Sequence, residues 1–412
     1  MSTVGRILGA AGIATGVLGA AALGGVTAQR IAVRRYQSAS DANPADGYGL
    51  LEADRTYSID AADGVALHVE EVGPVTAPIT VIFAHGWTLR SGSWHYQRLA
   101  LAGPGFGTAN AETATTAIDL TGSAAQAIEL PGPVTDVAAR LVFYDQRSHG
   151  KSTRAPEDHS TMDFLASDLR SVIDTAAPVG PVVLIGHSMG GMAILTLAAH
   201  DPGLFADRIA GIGLICSGAT YLKASEFNRL LMTGGNRVVR AVTNVAARYP
   251  AVFERGRASS RDAVWLLTRS LGFARKDVPG PMVDYLDEMI SGTPVDVIAE
   301  FTPALFSHDQ TNAVPALAGI PTAIVAGDKD RMTPLDRSQV IADVLPDAEF
   351  VIARGSGHMA MMEDPAVTND ALRRMLQRAV VYAGLQTPPA GSSPDDNRRR
   401  RKAQVDKPKA RR

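Results

Sequence analysis

Six short apolar runs that do not alternate with polar residues constrain this chain more than any other feature. They are ITVIFA (79–84), RLVFY (140–144), PVVLIG (181–186), IAGIGLIC (209–216), TAIVAG (322–327) and AEFVIA (348–353). A strand that is apolar on both faces must be covered on both faces, which is the condition of a parallel sheet flanked by helices. Helical patterns separate most of the runs, so the expected fold class is α/β with a mostly parallel central sheet. Ahead of the first run, Thr56–Asp60 and Ala66–Val72 flank the turn Ala62-Asp63-Gly64 and read as a hairpin.

Composition sets the outer limits. A chain of 412 residues exceeds one minimal core and fits one large domain with an insertion and tails. A net charge of −2 supplies no global field for a polyanion, so no nucleic-acid partner is expected. The single cysteine, Cys216, excludes an intrachain disulfide. Inside the run IGLIC it reads as a buried small hydrophobe rather than a nucleophile.

The expected organisation has five parts. Residues 1–35 form a hydrophobic anchor or signal segment; residues 50–217 carry the first part of the core, with an irregular insertion over 102–138; residues 218–312 form a helical cap; residues 313–386 complete the core; residues 387–412 are a basic, disordered tail. The best cap helices are RLLMTGGNRVVRAVTNVAARY, SRDAVWLLTRSL and PMVDYLDEMI. Ile7 to Gln29 carries no charge, and Gly12, Gly16, Ala20 and Gly24 recur every four residues. Arg30, Arg34 and Arg35 follow, which favours a single-pass membrane anchor with the enzyme on the cytoplasmic side. Two other readings stay open: a signal peptide cleaved after Val26-Thr27-Ala28, giving a secreted protein, and a flexible tail.

The chemistry centres on Gly186-His187-Ser188-Met189-Gly190. The pentapeptide alone is a weak signal, but an apolar strand ends directly before it and GGMAILTLAAH opens a helix directly after it. A serine on such a turn stands above the sheet edge as a candidate nucleophile. It needs a histidine base. Of nine histidines, only His358 follows the last apolar run, in the glycine-containing loop RGSGHMAMMEDP. The imidazole in turn needs a carboxylate to fix its tautomer. TAIVAGDKDRMTP offers Asp328 and Asp330; Asp330, further from the strand end, is favoured, with Thr333 and Pro334 read as the N-cap and first residue of the next helix. Backbone N–H groups of Met189 and Trp87 are the candidate oxyanion donors, and His85 beside them is either a structural tie or a catalytic group.

The motifs HGW, YDQRSHGKS, GHSMGG, GDKD and GSGH, in this order, resemble those of the cap-bearing α/β-hydrolases: carboxylesterases, lipases, C–C bond hydrolases and perhydrolase-like members. The resemblance spans roughly Tyr57 to Leu385 apart from residues 102–138 and the cap, and it implies the α/β-hydrolase fold. It implies Asp145 to Ser152 as a structural turn near the site. Ser188 stands where the epoxide hydrolases and haloalkane dehalogenases of this fold have aspartate, which argues against both activities. The expected reaction is hydrolysis of a small-molecule acyl ester through an acyl-enzyme, with no metal and no cofactor. C–C bond or thioester cleavage on the same three residues, and a non-catalytic membrane scaffold, are the alternatives. The substrate, its chain length and the oligomeric state are not legible.

Overall fold

Of the 412 residues, the computed structural model describes 47–102, 137–220 and 261–385. Eight strands form one sheet in the order β1-β2-β4-β3-β5-β6-β7-β8. They are β1 (Arg55–Asp60), β2 (Ala66–Val72), β3 (Ile79–Ala84), β4 (Ala139–Tyr144), β5 (Val182–His187), β6 (Ile209–Ile215), β7 (Thr322–Gly327) and β8 (Glu349–Ala353). The expected hairpin is β1–β2, and β2 also pairs antiparallel with β4; every other pairing is parallel.

Alternate residues of one strand serve opposite faces, as the period of two requires. Val81 and Phe83 enter the core on one side, while Ile82 and Ala84 enter the core on the other. The first side is covered by α1 (His95–Leu101) and the last helix, α10 (Pro365–Tyr382), through Leu372, Met375 and Leu376. The second is covered by α2 (Met162–Ala176) and α3 (Met189–His200), through Leu169, Ile173, Ile194 and Leu195. Burying a Val, Leu, Ile or Phe side chain contributes roughly 1.5–3 kcal/mol, so strands buried on both faces bias the chain strongly toward this layering.

A short helix α4 (Pro202–Asp207) precedes β6. Between β6 and β7, the described part of the expected cap holds α5 (Arg261–Gly272), α6 (Gly280–Gly292) and α7 (Val295–Ser307). The first two coincide with SRDAVWLLTRSL and PMVDYLDEMI; α7 runs through Pro303. Helices α8 (Leu335–Val344) and α9 (Ala360–Glu363) follow β7 and β8. The expected anchor, the third cap helix at 229–249, the basic tail and nearly all of the 102–138 insertion lie outside the described residues. No helix among the described residues is long and apolar enough to cross a membrane.

Candidate active site

Parallel strands end together at the C-terminal edge of the sheet, and this edge collects the candidate residues. Ser188 follows β5 directly and is the N-cap of α3, with φ 50° and ψ −115°. Such a backbone costs on the order of 1–3 kcal/mol for a non-glycine residue and persists only where its surroundings enforce it. They do so here. The Ser188 N–H donates to Ile215 O at 3.0 Å, and the Ser217 hydroxyl donates to Ser188 O at 2.8 Å. Gly190 lets the turn close, because a Cβ there would sit 2.1 Å from Ala84 O. Among the described residues no hydrogen bond occupies the Ser188 hydroxyl, and the α3 N-terminus beside it favours negative charge.

The loops after β7 and β8 bring the acid and the histidine together. Asp330 Oδ2 lies 2.8 Å from His358 Nδ1. Asp330 Oδ1 accepts the N–H groups of Met332 at 2.8 Å and Thr333 at 2.9 Å, which aims the other oxygen at the imidazole. Asp328 points elsewhere and accepts the Gly355 N–H at 2.6 Å, tying the β7 loop to the β8 loop. Of the two aspartates, only Asp330 contacts the histidine.

Thr333 corrects the sequence reading. Helix α8 begins at Leu335 with Pro334 as N-cap and no side-chain cap. The Thr333 hydroxyl instead lies 2.7 Å from both Asp330 Oδ2 and Cys216 O, and 3.2 Å from His358 Nδ1. It turns inward because the two acceptors already face it from β6 and from its own loop. With one proton to give, it donates to one of them at a time. Cys216 is fully buried as expected, but at φ 45° and beside the pair; burial and the nearby Asp330 hold its thiol protonated. Ligand atoms of Cys216, Asp330 and His358 lie within 4.8 Å of one another. Both Asp330 oxygens are already taken by N–H and O–H donors, so the donor set fits a hydrogen-bonded acid–base pair better than a metal site.

The other side of Ser188 is built from backbone ties. His85 is fully buried: its Nε2 accepts the Gln146 N–H at 2.9 Å and its Nδ1 donates to Gly86 O at 2.7 Å, so it joins the β3 loop to the β4 loop. Burial pushes its pKa down to about 4. In the turn 145–152, Asp145 accepts the N–H of Ser91 at 2.7 Å and of Lys151 at 2.8 Å, and Arg147 pairs with Asp168 at 2.6 Å. Trp87 N–H and Met189 N–H, the expected oxyanion donors, have no acceptor among the described residues. His187 is buried and neutral, and its Nε2–H donates to His358 O at 3.0 Å, holding the backbone of the histidine loop. A separate cavity of about 280 Å³ opens beside α6, walled by Glu70, Arg90, Asp145, Lys151 and Tyr285; none of Ser188, Asp330 or His358 lines it.

Comparison with known proteins bears on the fold and the family. A bifunctional esterase/perhydrolase of Acinetobacter calcoaceticus is 28% identical over 170 residues, 41% of this chain and 48% of that protein, so the chain spans about half the length of this relative. In structure, a thermophilic esterase from Thermogutta terrifontis superposes with a TM-score of 0.56 at 21% identity, covering 79% of this chain and 99% of that one. A bromoperoxidase from Bacillus anthracis gives 0.57 at 20% identity, covering 78% and 100%. At these identities the two structures speak for the fold alone. The family model of the α/β hydrolase fold matches residues 79–365, from β3 to the start of α10, and the chain belongs to that family.

Proposed function

We propose that the protein is a serine hydrolase of carboxylic acyl esters. The observation that carries this reading is the 2.8 Å contact of His358 Nδ1 with Asp330 Oδ2 at the same sheet edge as the strained Ser188 turn. In this reading Asp330 fixes the Nδ1–H tautomer, leaving His358 Nε2 to take the Ser188 proton as Oγ attacks the carbonyl carbon. The N–H groups of Trp87 and Met189 receive the oxyanion. His358 then protonates the leaving alcohol, and water repeats the sequence to release the acid. The acid–base steps are performed by the chain's own groups.

The ester is proposed to carry an acyl chain. Met189 and Met192 of α3 form one apolar cluster with Val297, Phe301 and Leu305 of α7, and the partly exposed Trp87 and Phe306 lie against it. Met189, the residue after Ser188, belongs to this cluster, which supports an apolar lining for the acyl chain, and methionine adapts to chains of varied shape. The relative named as an esterase supports the bond class. The test is a panel of p-nitrophenyl esters of increasing acyl length. Saturable turnover rising from acetate toward longer chains is expected; absence of turnover on every member would overturn the reading.

The membrane anchor remains a proposal resting on the sequence of Ile7 to Gln29 alone. Release of the full-length protein from membranes by high salt would contradict it, and a mature protein starting near Gln29 would establish the signal peptide instead.

A further inference from the structure

Glu363 ends α9, five residues beyond His358, and is buried. Its two carboxylate oxygens are taken by backbone donors from two distant stretches. Oε1 accepts the N–H of Ala274, at 2.7 Å, and of Arg275, both in the segment joining α5 to α6. Oε2 accepts the N–H of Gly357, at 2.5 Å, directly before His358. The same stretches also meet main chain to main chain. Met359 N–H donates to Gly272 O at 2.9 Å, and a Cβ on Gly357 would lie 2.9 Å from Ala274 N, so only glycine fits. Arg269 of α5 holds the opposite polarity of the segment, donating to Phe273 O at 3.3 Å and to Arg275 O.

A buried carboxylate is costly unless it is hydrogen-bonded. Burial raises the Glu363 pKa, and its three N–H partners oppose the rise. Helix capping does not explain the residue, because Asp364 caps α10 by accepting the Val367 N–H. What the carboxylate does that no apolar residue would do is join two backbones.

We infer that Glu363 is a positioning residue for His358: one carboxylate fixes segment 272–275 of the cap and the His358 loop to each other, so cap and base keep one mutual placement through turnover. The inference rests on reading His358 as the base. A misplacement of about 1 Å in a catalytic group can cost on the order of a hundredfold in rate, so the effect should appear in kcat.

The test uses the full chain with Glu363→Gln and Glu363→Ala, beside His358→Ala. Glutamine replaces one acceptor oxygen with an NH2 group that faces backbone N–H donors, so the carboxylate join between the two stretches is broken and both are expected to loosen. Amide hydrogen exchange should quicken about tenfold in both 272–275 and 355–359, measured by mass spectrometry. Turnover per fluorophosphonate-titrated site should fall about tenfold, with KM within about twofold of wild type. Faster exchange in only one stretch, or kcat per titrated site within twofold of wild type, overturns the inference. If Glu363→Ala fails to fold, Glu363→Gln decides alone. An active His358→Ala removes the base assignment and the inference together; an inactive His358→Ala beside an unaffected Glu363→Gln removes the inference only.

Discussion

The two flanks of the strand that carries Ser188 are built on different principles. On the β3–β4 flank, buried side chains bond to backbone: His85 to Gly86 and Gln146, His149 to Arg147 O, Asp145 to Ser91 and Lys151. On the β7–β8 flank, a carboxylate and an imidazole bond to each other, with a threonine hydroxyl between them. Burial holds His85 and His149 neutral, at about 4 and about 3, so they serve as fixed donors and acceptors. The lesson is that a histidine's partner sets its task. At this edge a backbone partner makes His85 a brace, whereas the buried Asp330 carboxylate makes His358 a candidate base.

The contrast breaks most readily at the acid. Asp330→Asn should lower kcat by about 10³-fold or more, because an amide cannot hold the Nδ1–H tautomer as a carboxylate does. Asp328→Asn should change kcat by less than about fivefold, since among the described residues Asp328 accepts the Gly355 N–H and pairs with Lys329, and does not contact His358. Steady-state kinetics on the two variants decides, and the reverse ranking would move the acid to Asp328. Thr333→Val sharpens the comparison at smaller scale. It removes one hydroxyl from Asp330 and should cost about 1 kcal/mol, or roughly fivefold in kcat; an unchanged rate would reduce Thr333 to a packing residue.

The braces predict a pH effect on stability rather than on rate. The unfolded chain protonates His85 and His149 near 6.5, whereas the folded chain does so only near 4 and 3. Protons therefore bind the unfolded state preferentially in that interval. The stabilising contribution is full above about pH 6.5 and is lost as pH falls toward 4. Thermal midpoints measured across that range should drop, and the slope should lessen in His85→Gln. A midpoint flat from pH 7 to 4 would mean these imidazoles are not held neutral.

What the sequence made legible follows the same division. The strands were readable because both faces are buried, which leaves unbroken Val/Ile/Leu runs such as PVVLIG. The turn at Ser188 was readable because its strand and helix flank it in sequence. Contacts made across the fold were not. Thr333 before Pro334 has the form of a helix cap, and only the neighbouring β6 backbone reveals its inward turn. Glu363 sits in EDP, where Asp364 carries the capping signal, and two of its three partners lie 88 and 89 residues away, between α5 and α6. Helix α7 lies within the stretch 218–312 expected to be helical but is not among its best candidates, because Pro303 interrupts its pattern.

The most direct measurement is to treat the full-length protein with a fluorophosphonate, then weigh it intact and map the adduct by peptide mass spectrometry. The account predicts one adduct per chain, on the peptide containing Ser188, formed slowly or not at all in His358→Ala and absent in Ser188→Ala, whose turnover should fall below about a hundredth of wild type. An adduct on another residue, or full turnover in Ser188→Ala, would contradict it.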